Sequence, residues 1–174
     1  MDLREQTYEQ EELSAQERLW RFATAVYAKP GVAQACIAAQ EEWAVDVNLM
    51  LYVSWCAREA RRLGAEDIRR AQDRCGQWRE RVILPLRQQR VAWREQKSRA
   101  VEYAAIKQLE LDAERTQLDL LATLSEEGAR APSANGQDSQ EEAVLLLKHL
   151  QVLAAHYGLP KEAFGPFLKA LNTP

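Results

Sequence analysis

Residues 47–56 constrain the fold of this 174-residue chain more than any other segment. They form its longest apolar run, which only Asn48 and Ser54 interrupt. In a helix, the apolar side chains of this run would cover every face and leave no side for water. Asp46 is placed to cap the start of the helix, and Gly64 follows its predicted end. We therefore predict a buried central helix that other helices surround.

The rest of the chain repeats a helical pattern. Apolar residues recur every three or four positions, and the chain contains only 7 Gly and 6 Pro. The predicted fold class is all-α: a five-helix bundle with a mostly apolar central helix over residues 46–63, plus a linker-tethered C-terminal helical pair. We expect Pro85 to kink or break the fourth helix, because proline has no N–H and disfavours a helical conformation at Leu84.

Composition divides the chain into four segments. Residues 1–13 are acidic, lack helical periodicity and are predicted to be a disordered arm. Residues 14–124 are predicted to be the helical main domain, which begins with Ser14 as a capping residue. Residues 125–140 are rich in Gly, Ser, Ala, Asn and Pro, as flexible linkers are. Residues 141–174 are too few to bury a core alone, so we predict a helical extension that packs on the main domain or on a partner.

The sequence disfavours membrane-spanning, exported and disulfide-bonded classes of protein. No apolar run approaches the roughly 20 residues of a membrane span, and the acidic N-terminal residues do not resemble a secretory signal. Cys36, Cys56 and Cys75 are odd in number and lack CxxC spacing, which is typical of buried free thiols in a reducing compartment. We expect a cytoplasmic protein without membrane association.

Motifs for catalysis, metals and cofactors are not found in the sequence. It contains no glycine-rich nucleotide loop, no HExxH motif and no nucleophile elbow. His149 and His156 share a helical face but have no neighbouring Cys or Asp to complete a ligand set. We predict no catalytic residue, no metal site and no cofactor, and we favour a protein that is not an enzyme.

The main functional hypothesis comes from the uneven distribution of charge. Residues 58–99 hold thirteen basic and six acidic residues, a local charge of +7, whereas the whole chain carries −3. One predicted helical face in this segment carries the arginine stripe, which consists of Arg87, Arg90, Arg94 and Lys97 beside Trp93. Arginines near an aromatic ring bind acidic peptides or phosphates through paired hydrogen bonds and stacking. A protein partner is favoured over nucleic acid, because the pI is only about 5.6.

Two alternatives remain open at this point. In the first, the acidic helix predicted over residues 102–119 folds back and neutralises the arginine stripe within the chain, which the low pI favours. In the second, Asp46, Asn48, Tyr52 and Arg79 form a polar pocket for a small molecule or a substrate at the mouth of the central helix. Simple capping by Asp46, with Asn48 bonded to the backbone of a neighbouring helix, is the more common arrangement for such residues.

Four stretches of the chain resemble a known family. They are residues 19–33 (LWRFATAVYAKPGVA), 46–52 (DVNLMLY), 78–87 (WRERVILPLR) and 103–111 (YAAIKQLEL). Together they are similar to short helical proteins of proteobacteria that are known only as a domain of unknown function. The likeness covers about residues 18 to 122. It implies the domain boundary and a bacterial cytoplasmic origin, and it assigns no activity, substrate or site residue.

Overall fold

The computed structural model describes residues 13–127 and 139–172, and this part of the chain is all-α, as predicted. Its helices are α1 Ala15–Tyr27, α2 Val32–Trp43, α3 Val47–Arg58, α4 Ala65–Trp78, α5 Leu84–Trp93, α6 Ala100–Glu127, α7 Ser139–His156 and α8 Gly165–Leu171. A π-helical segment, Arg79–Ile83, joins α4 to α5, and a 3-10 turn, Lys97–Arg99, precedes α6. The predicted arm and linker fall mostly on residues 1–12 and 128–138, which lie outside the described residues.

Helix α3 lies at the centre of the molecule. It begins at Asp46, whose Oδ1 accepts hydrogen bonds from the backbone N–H groups of Asn48 at 3.0 Å and Leu49 at 3.4 Å. The ten residues 48–57 are all buried, and α1, α2, α6 and α7 pack around them. The predicted burial is confirmed for Leu49, Leu51, Val53, Trp55 and Cys56. The apolar run therefore forms the centre of the core that its sequence predicts.

Helix α3 ends earlier than the sequence predicts. It stops at Arg58, and Ala60 takes the left-handed conformation with a φ of 56°. Across this turn, the N–H of Arg61 donates to the C=O of Cys56 at 2.8 Å, which closes the helix. Gly64 has a φ of −111° and instead caps the start of α4. The predicted end is wrong because an alanine, rather than the glycine, adopts the left-handed conformation.

Pro85 does not interrupt the helix that contains it. Leu84 keeps helical angles, with φ −62° and ψ −42°, and the chain stays helical through α5. The missing N–H of the proline is accommodated by the preceding π-helical segment, in which the N–H of Leu84 donates to the C=O of Arg79. Of the expected kink or break, the break does not occur, because the wider hydrogen bonding of the π-helical segment accommodates the proline.

The C-terminal helices pack on the rest of the chain. Helix α7 contacts α3 and α4, and α8 contacts α2. His149 on α7 is buried, and its Nε2 accepts a hydrogen bond from the N–H of Leu63 at 3.0 Å. Its Nδ1 lies 2.9 Å from the C=O of Val53 and therefore carries the proton. A neutral imidazole thus joins α7 to α3 and to the loop before α4.

Acidification should destabilise the fold through His149. Burial lowers the pKa of His149 below its ordinary value, against the smaller opposing effects of its hydrogen bond to Val53 and the charge of Asp67. Below about pH 6.5 the unfolded chain binds a proton that the folded chain excludes, so the free energy of unfolding should fall with pH by up to about 1.4 kcal/mol per unit. Urea unfolding over this pH range measures the slope. The slope should be smaller in His149→Gln, and an unchanged slope would show that another group causes it.

Candidate functional site

Helix α5 carries Arg87 and Arg90 of the arginine stripe and contributes least to the core. None of its 10 residues is buried, and it packs mainly against α6. With the 3-10 turn and the first turns of α6, it forms the α5–α6 hairpin. Because α5 has no buried apolar residue to hold it in place, we expect its polar contacts with α6 to fix its position.

Arg87 and Arg90 lie in a network of charged side chains, here called the arginine–glutamate network. Arg87 donates from Nε to Glu110 Oε1 at 2.8 Å, from Nη2 to Glu114 Oε1 at 2.6 Å, and from Nη1 to Gln40 Oε1 at 2.5 Å. Arg90 donates from Nη2 to Glu110 Oε1 at 3.2 Å and from Nε to the other carboxylate oxygen of Glu110. The side chain of Glu110 is only 6% exposed. These two arginines therefore pair within the chain.

The two carboxyl groups of the network have pKa values shifted in opposite directions. Burial raises the pKa of Glu114, and the positive charge of Arg87 offsets this only in part. Burial acts in the same direction on Glu110, but hydrogen bonds from Arg90 and Arg87 outweigh it and lower the pKa of Glu110. Glu110 is therefore the charged anchor to which both arginines are held at neutral pH.

The remainder of the arginine stripe lies beyond the network, at the end of the α5–α6 hairpin. The side chains of Arg94 and Lys97 are exposed and form no ion pair or hydrogen bond with the residues that the structure describes. Trp93 is half-buried, and the guanidinium of Arg99 lies over its ring, 5.0 Å from the centroid. The stripe is thus divided: Arg87 and Arg90 contact α6, whereas Arg94 and Lys97 face water.

A second polar cluster, here called the Asp46 cluster, lies at the start of α3. Asp46 Oδ2 accepts a hydrogen bond from Gln117 Nε2 at 2.5 Å and lies 3.5 Å from Arg79 Nε. The backbone N–H of Asp46 donates to the hydroxyl of Tyr157 at 3.1 Å. Asn48 Nδ2 donates to Gln117 Oε1 at 2.8 Å. The structure therefore brings together three of the four residues predicted for a pocket.

The fourth predicted residue, Tyr52, lies elsewhere on α3. Its hydroxyl lies near the thiol of Cys56, and its ring packs on Trp55 with the centroids 6.3 Å apart. Sequence reasoning missed Gln117 and Tyr157, which lie 71 and 111 residues after Asp46. A polar residue on the inward face of the acidic helix was the one available signal for Gln117, and no local pattern marked Tyr157.

The polar groups of the Asp46 cluster satisfy one another. Oδ1 of Asp46 caps α3, and Oδ2 is shared by Gln117 and Arg79, while the side chain is only 5% exposed. Asn48 also approaches the C=O of Glu114, with an N···O distance of 3.5 Å. The capping by Asp46 agrees with the capping interpretation, whereas the shorter hydrogen bond of Asn48 goes to the side chain of Gln117 rather than to a helix backbone. The cluster ties α3 to α6, to the end of α7 and to the π-helical segment.

The cysteines are buried free thiols of low reactivity. Burial raises the pKa of Cys36 and Cys56 to about 12 and of Cys75 to about 11, so all three stay protonated at neutral pH. Among residues 13–127 and 139–172, no group of three His, Cys, Asp or Glu side chains is arranged to hold a metal ion. No helix in the same part of the chain has both the length and the hydropathy to span a membrane.

The main part of the chain matches a known protein family. Residues 18–121 match the family model described as "Protein of unknown function (DUF2390)". The chain belongs to this family. No curated protein and no solved structure matches it.

The DUF2390 region contains nearly all of both polar clusters. The arginine–glutamate network lies wholly within it, as do Asp46, Asn48, Arg79 and Gln117 of the Asp46 cluster. Tyr157 and the whole of α7 and α8 lie outside the matched residues. The candidate sites therefore belong to the DUF2390 domain, and the C-terminal helices add one hydroxyl to them.

Proposed function

We propose that this DUF2390 member is a non-enzymatic interaction or regulatory protein that binds an acidic protein partner through the end of the α5–α6 hairpin. The observation that carries the proposal is the exposure of Arg94 and Lys97 close in sequence to Trp93, since neither cation forms an ion pair in the described ranges. Arginine binds carboxylates through paired hydrogen bonds, and its guanidinium stacks on aromatic rings. The binding residues in this proposal are Trp93, Arg94 and Lys97.

Arg87 and Arg90 have a supporting part in the proposed surface. Their hydrogen bonds to Glu110 fix α5 on α6 and so hold the end of the hairpin in place. Charge-assisted bonds of this kind are stronger than neutral hydrogen bonds and resist rotation of the helix. Because Arg87 and Arg90 are paired with Glu110, the partner contacts Arg94 and Lys97, which form no ion pair in the described residues.

A protein fits the proposed surface better than a nucleic acid does. The chain carries a net charge of −3, and the exposed Glu95 and Glu102 lie close in sequence to the cations of the hairpin. Nucleic-acid binders usually present a broader excess of positive charge. We place this function in a bacterial cytoplasmic protein. In it, α1 to α6 form the five-helix bundle, with α4, the π-helical segment and α5 counted as one continuous helix, and the C-terminal pair extends the bundle.

The alternative is a small-molecule site, with or without catalysis, around Asp46, Asn48, Tyr52 and Arg79. The π-helical segment that begins at Arg79 favours it, since such segments are frequent at functional sites. Against it, both carboxylate oxygens of Asp46 are already engaged within the chain. A ligand would have to displace Gln117 or Arg79, whereas an acidic partner would meet Arg94 and Lys97 without displacing anything.

Affinity capture from an extract of the source cells tests the binding proposal. Arg94→Ala/Lys97→Ala should reduce capture of the acidic partner by about tenfold or more, and rising salt should weaken capture by the wild type. The matched control is Arg62→Ala/Arg70→Ala, which removes two exposed cations that have no ion pair in the described part of the chain. Equal capture by both variants and the wild type would contradict the proposal, and capture abolished by nuclease would assign nucleic acid instead.

A further inference from the structure

Helix α7 covers one face of α3 but lies outside the DUF2390 region. It packs on α3 and α4, and its residues Leu150, Leu153 and Ala154 are buried in the core. The matched residues end at 121, before α7 begins at Ser139. The other main neighbours of α3, which are α1, α2 and α6, lie largely within the matched residues. A helix that the family model does not include therefore completes the core around α3.

Two side chains bind α7 and the residue after it to main-chain groups of the DUF2390 region. His149 Nε2 accepts a hydrogen bond from the N–H of Leu63 at 3.0 Å, and its Nδ1 donates to the C=O of Val53 at 2.9 Å. The hydroxyl of Tyr157 accepts a hydrogen bond from the N–H of Asp46 at 3.1 Å. The N–H groups of Leu63 and Asp46 therefore lose these bonds when α7 moves away.

The two hydrogen bonds of His149 require a neutral ring. Its Nε2 is an acceptor and its Nδ1 is a donor, and a protonated ring has two donors. A second proton on Nε2 would set two N–H groups against each other across the 3.0 Å contact with Leu63. His149 is only 1% exposed, so the charged ring would also be buried. Protonation of His149 in place therefore breaks one bond and strands a charge.

Asp67 on α4 is the charged group that acts on His149. Burial lowers the pKa of His149, and the hydrogen bond to Val53 and the negative charge of Asp67 oppose this without cancelling it. The carboxylate of Asp67 is already engaged, because its Oδ2 accepts a hydrogen bond from the N–H of Gly64 at 2.8 Å. The attraction of Asp67 for a protonated ring therefore does not offset the cost of burying the charge.

The other titratable groups on the elements around His149 are neutral, paired or exposed. On α3, burial raises the pKa of the Cys56 thiol to about 12, so this group stays neutral. Arg58 at the end of α3 lies 3.6 Å from Glu142 of α7, which engages that carboxylate. Of the remaining groups, Lys148 and His156 on α7 are exposed, and Arg61 donates to the C=O of Ser125.

We infer that His149 is a pH-sensitive latch: when its ring is protonated, α7 separates from α3 and α4 while the rest of the core stays folded. Opening exposes the face of α3 that α7 covers, and it removes the Tyr157 hydroxyl from the N–H of Asp46. An element opens locally when only its own contacts are broken. The latch goes beyond the proposed function, since none of its residues lies in the α5–α6 hairpin.

Backbone hydrogen exchange tests the latch, measured by NMR on the full chain from about pH 7.5 to about pH 5 and expressed as protection factors. The amides of Leu63 and Asp46 should exchange in step with those of α7, and with lower protection than the core amides of α1 and α3. Below the ordinary His149 pKa of 6.5, their protection should fall by up to about tenfold per pH unit, because the open form binds a proton that the closed form excludes.

Three variants separate the latch from other effects of acid. His149→Gln keeps one acceptor and one donor at this position but does not titrate, so the protection of Leu63 and α7 should lose its pH dependence. His156→Gln removes the exposed histidine of the same helix and, as the matched control, should keep the wild-type dependence. Tyr157→Phe should lower the protection of the Asp46 amide and leave the pH dependence at Leu63 unchanged.

Equal protection of the α7 and α3 amides at every pH would overturn the latch, because α7 would then open only when the whole chain unfolds. Full pH dependence in His149→Gln, or its loss in His156→Gln, would overturn it too. If His149→Gln leaves α7 unprotected even at neutral pH, the wild type decides: α7 protection that falls with acid from below the level of α3 supports the latch, and protection that is independent of pH overturns it.

Discussion

Replacing Leu51 with alanine should lower the free energy of unfolding by about 2 to 5 kcal/mol, the usual effect of emptying a buried leucine site. Leu51 is 4% exposed and lies in the centre of α3, where several helices pack. A close-packed interior relaxes only partly around the lost atoms, so a cavity remains. Equilibrium unfolding in urea measures the change.

Leu147→Ala provides the matched control for this substitution. Leu147 is 43% exposed on α7, so its truncation should change the free energy of unfolding by less than about 1 kcal/mol. A loss below about 1 kcal/mol for Leu51→Ala, or equal losses for both variants, would show that α3 is not the centre of the core.

Removing Arg87 and Arg90 together should destabilise the protein by about 3 to 5 kcal/mol, because it leaves the buried carboxylate of Glu110 without a partner. Arg94→Ala/Lys97→Ala removes the same charge and should change the free energy of unfolding by no more than about 1 kcal/mol. Equal effects of the two double substitutions in urea unfolding would contradict the division of the arginine stripe.

A third substitution distinguishes two causes of the destabilisation: an unpaired buried carboxylate, or a general loss of packing. Adding Glu110→Met to Arg87→Ala/Arg90→Ala removes the stranded carboxylate and should recover part of the lost stability, since apolar replacement of a whole buried ion group is often tolerated. If the triple variant is as unstable as the double variant, the arginines stabilise α5 through their apolar stems instead.

The helices could be predicted from sequence where local chemistry decides the outcome. Ser14 caps α1 by accepting a hydrogen bond from the N–H of Glu17 at 3.2 Å, and Asp46 caps α3. The burial of α3 also follows from its own residues, because no polar face competes for the interior. Such features depend on neighbours a few positions apart, which are visible in the sequence.

The contacts of the candidate sites depend on residues that are distant in sequence. Helical spacing predicts one face for Arg87, Arg90, Arg94 and Lys97, but α5 ends at Trp93 and Lys97 lies in the separate 3-10 turn. Spacing also does not reveal how much of a helix face a neighbouring helix covers. The acidic residues of the helix predicted over 102–119 indicated that ion pairs with the arginines were possible. Only the fold shows that Arg87 and Arg90 both donate hydrogen bonds to Glu110. The division of the stripe is therefore a tertiary property.

The most direct test of this division is the hydrogen exchange of the arginine Nε–H groups, measured by NMR on the wild-type protein. Arg87 and Arg90 both donate from Nε to the buried carboxylate of Glu110, so their Nε–H protons should exchange slowly. The Nε–H of Arg94 faces water and should exchange much faster. Slow exchange at Arg94, or fast exchange at both Arg87 and Arg90, would contradict the division of the arginine stripe into two arginines bound to Glu110 and two cations exposed to water.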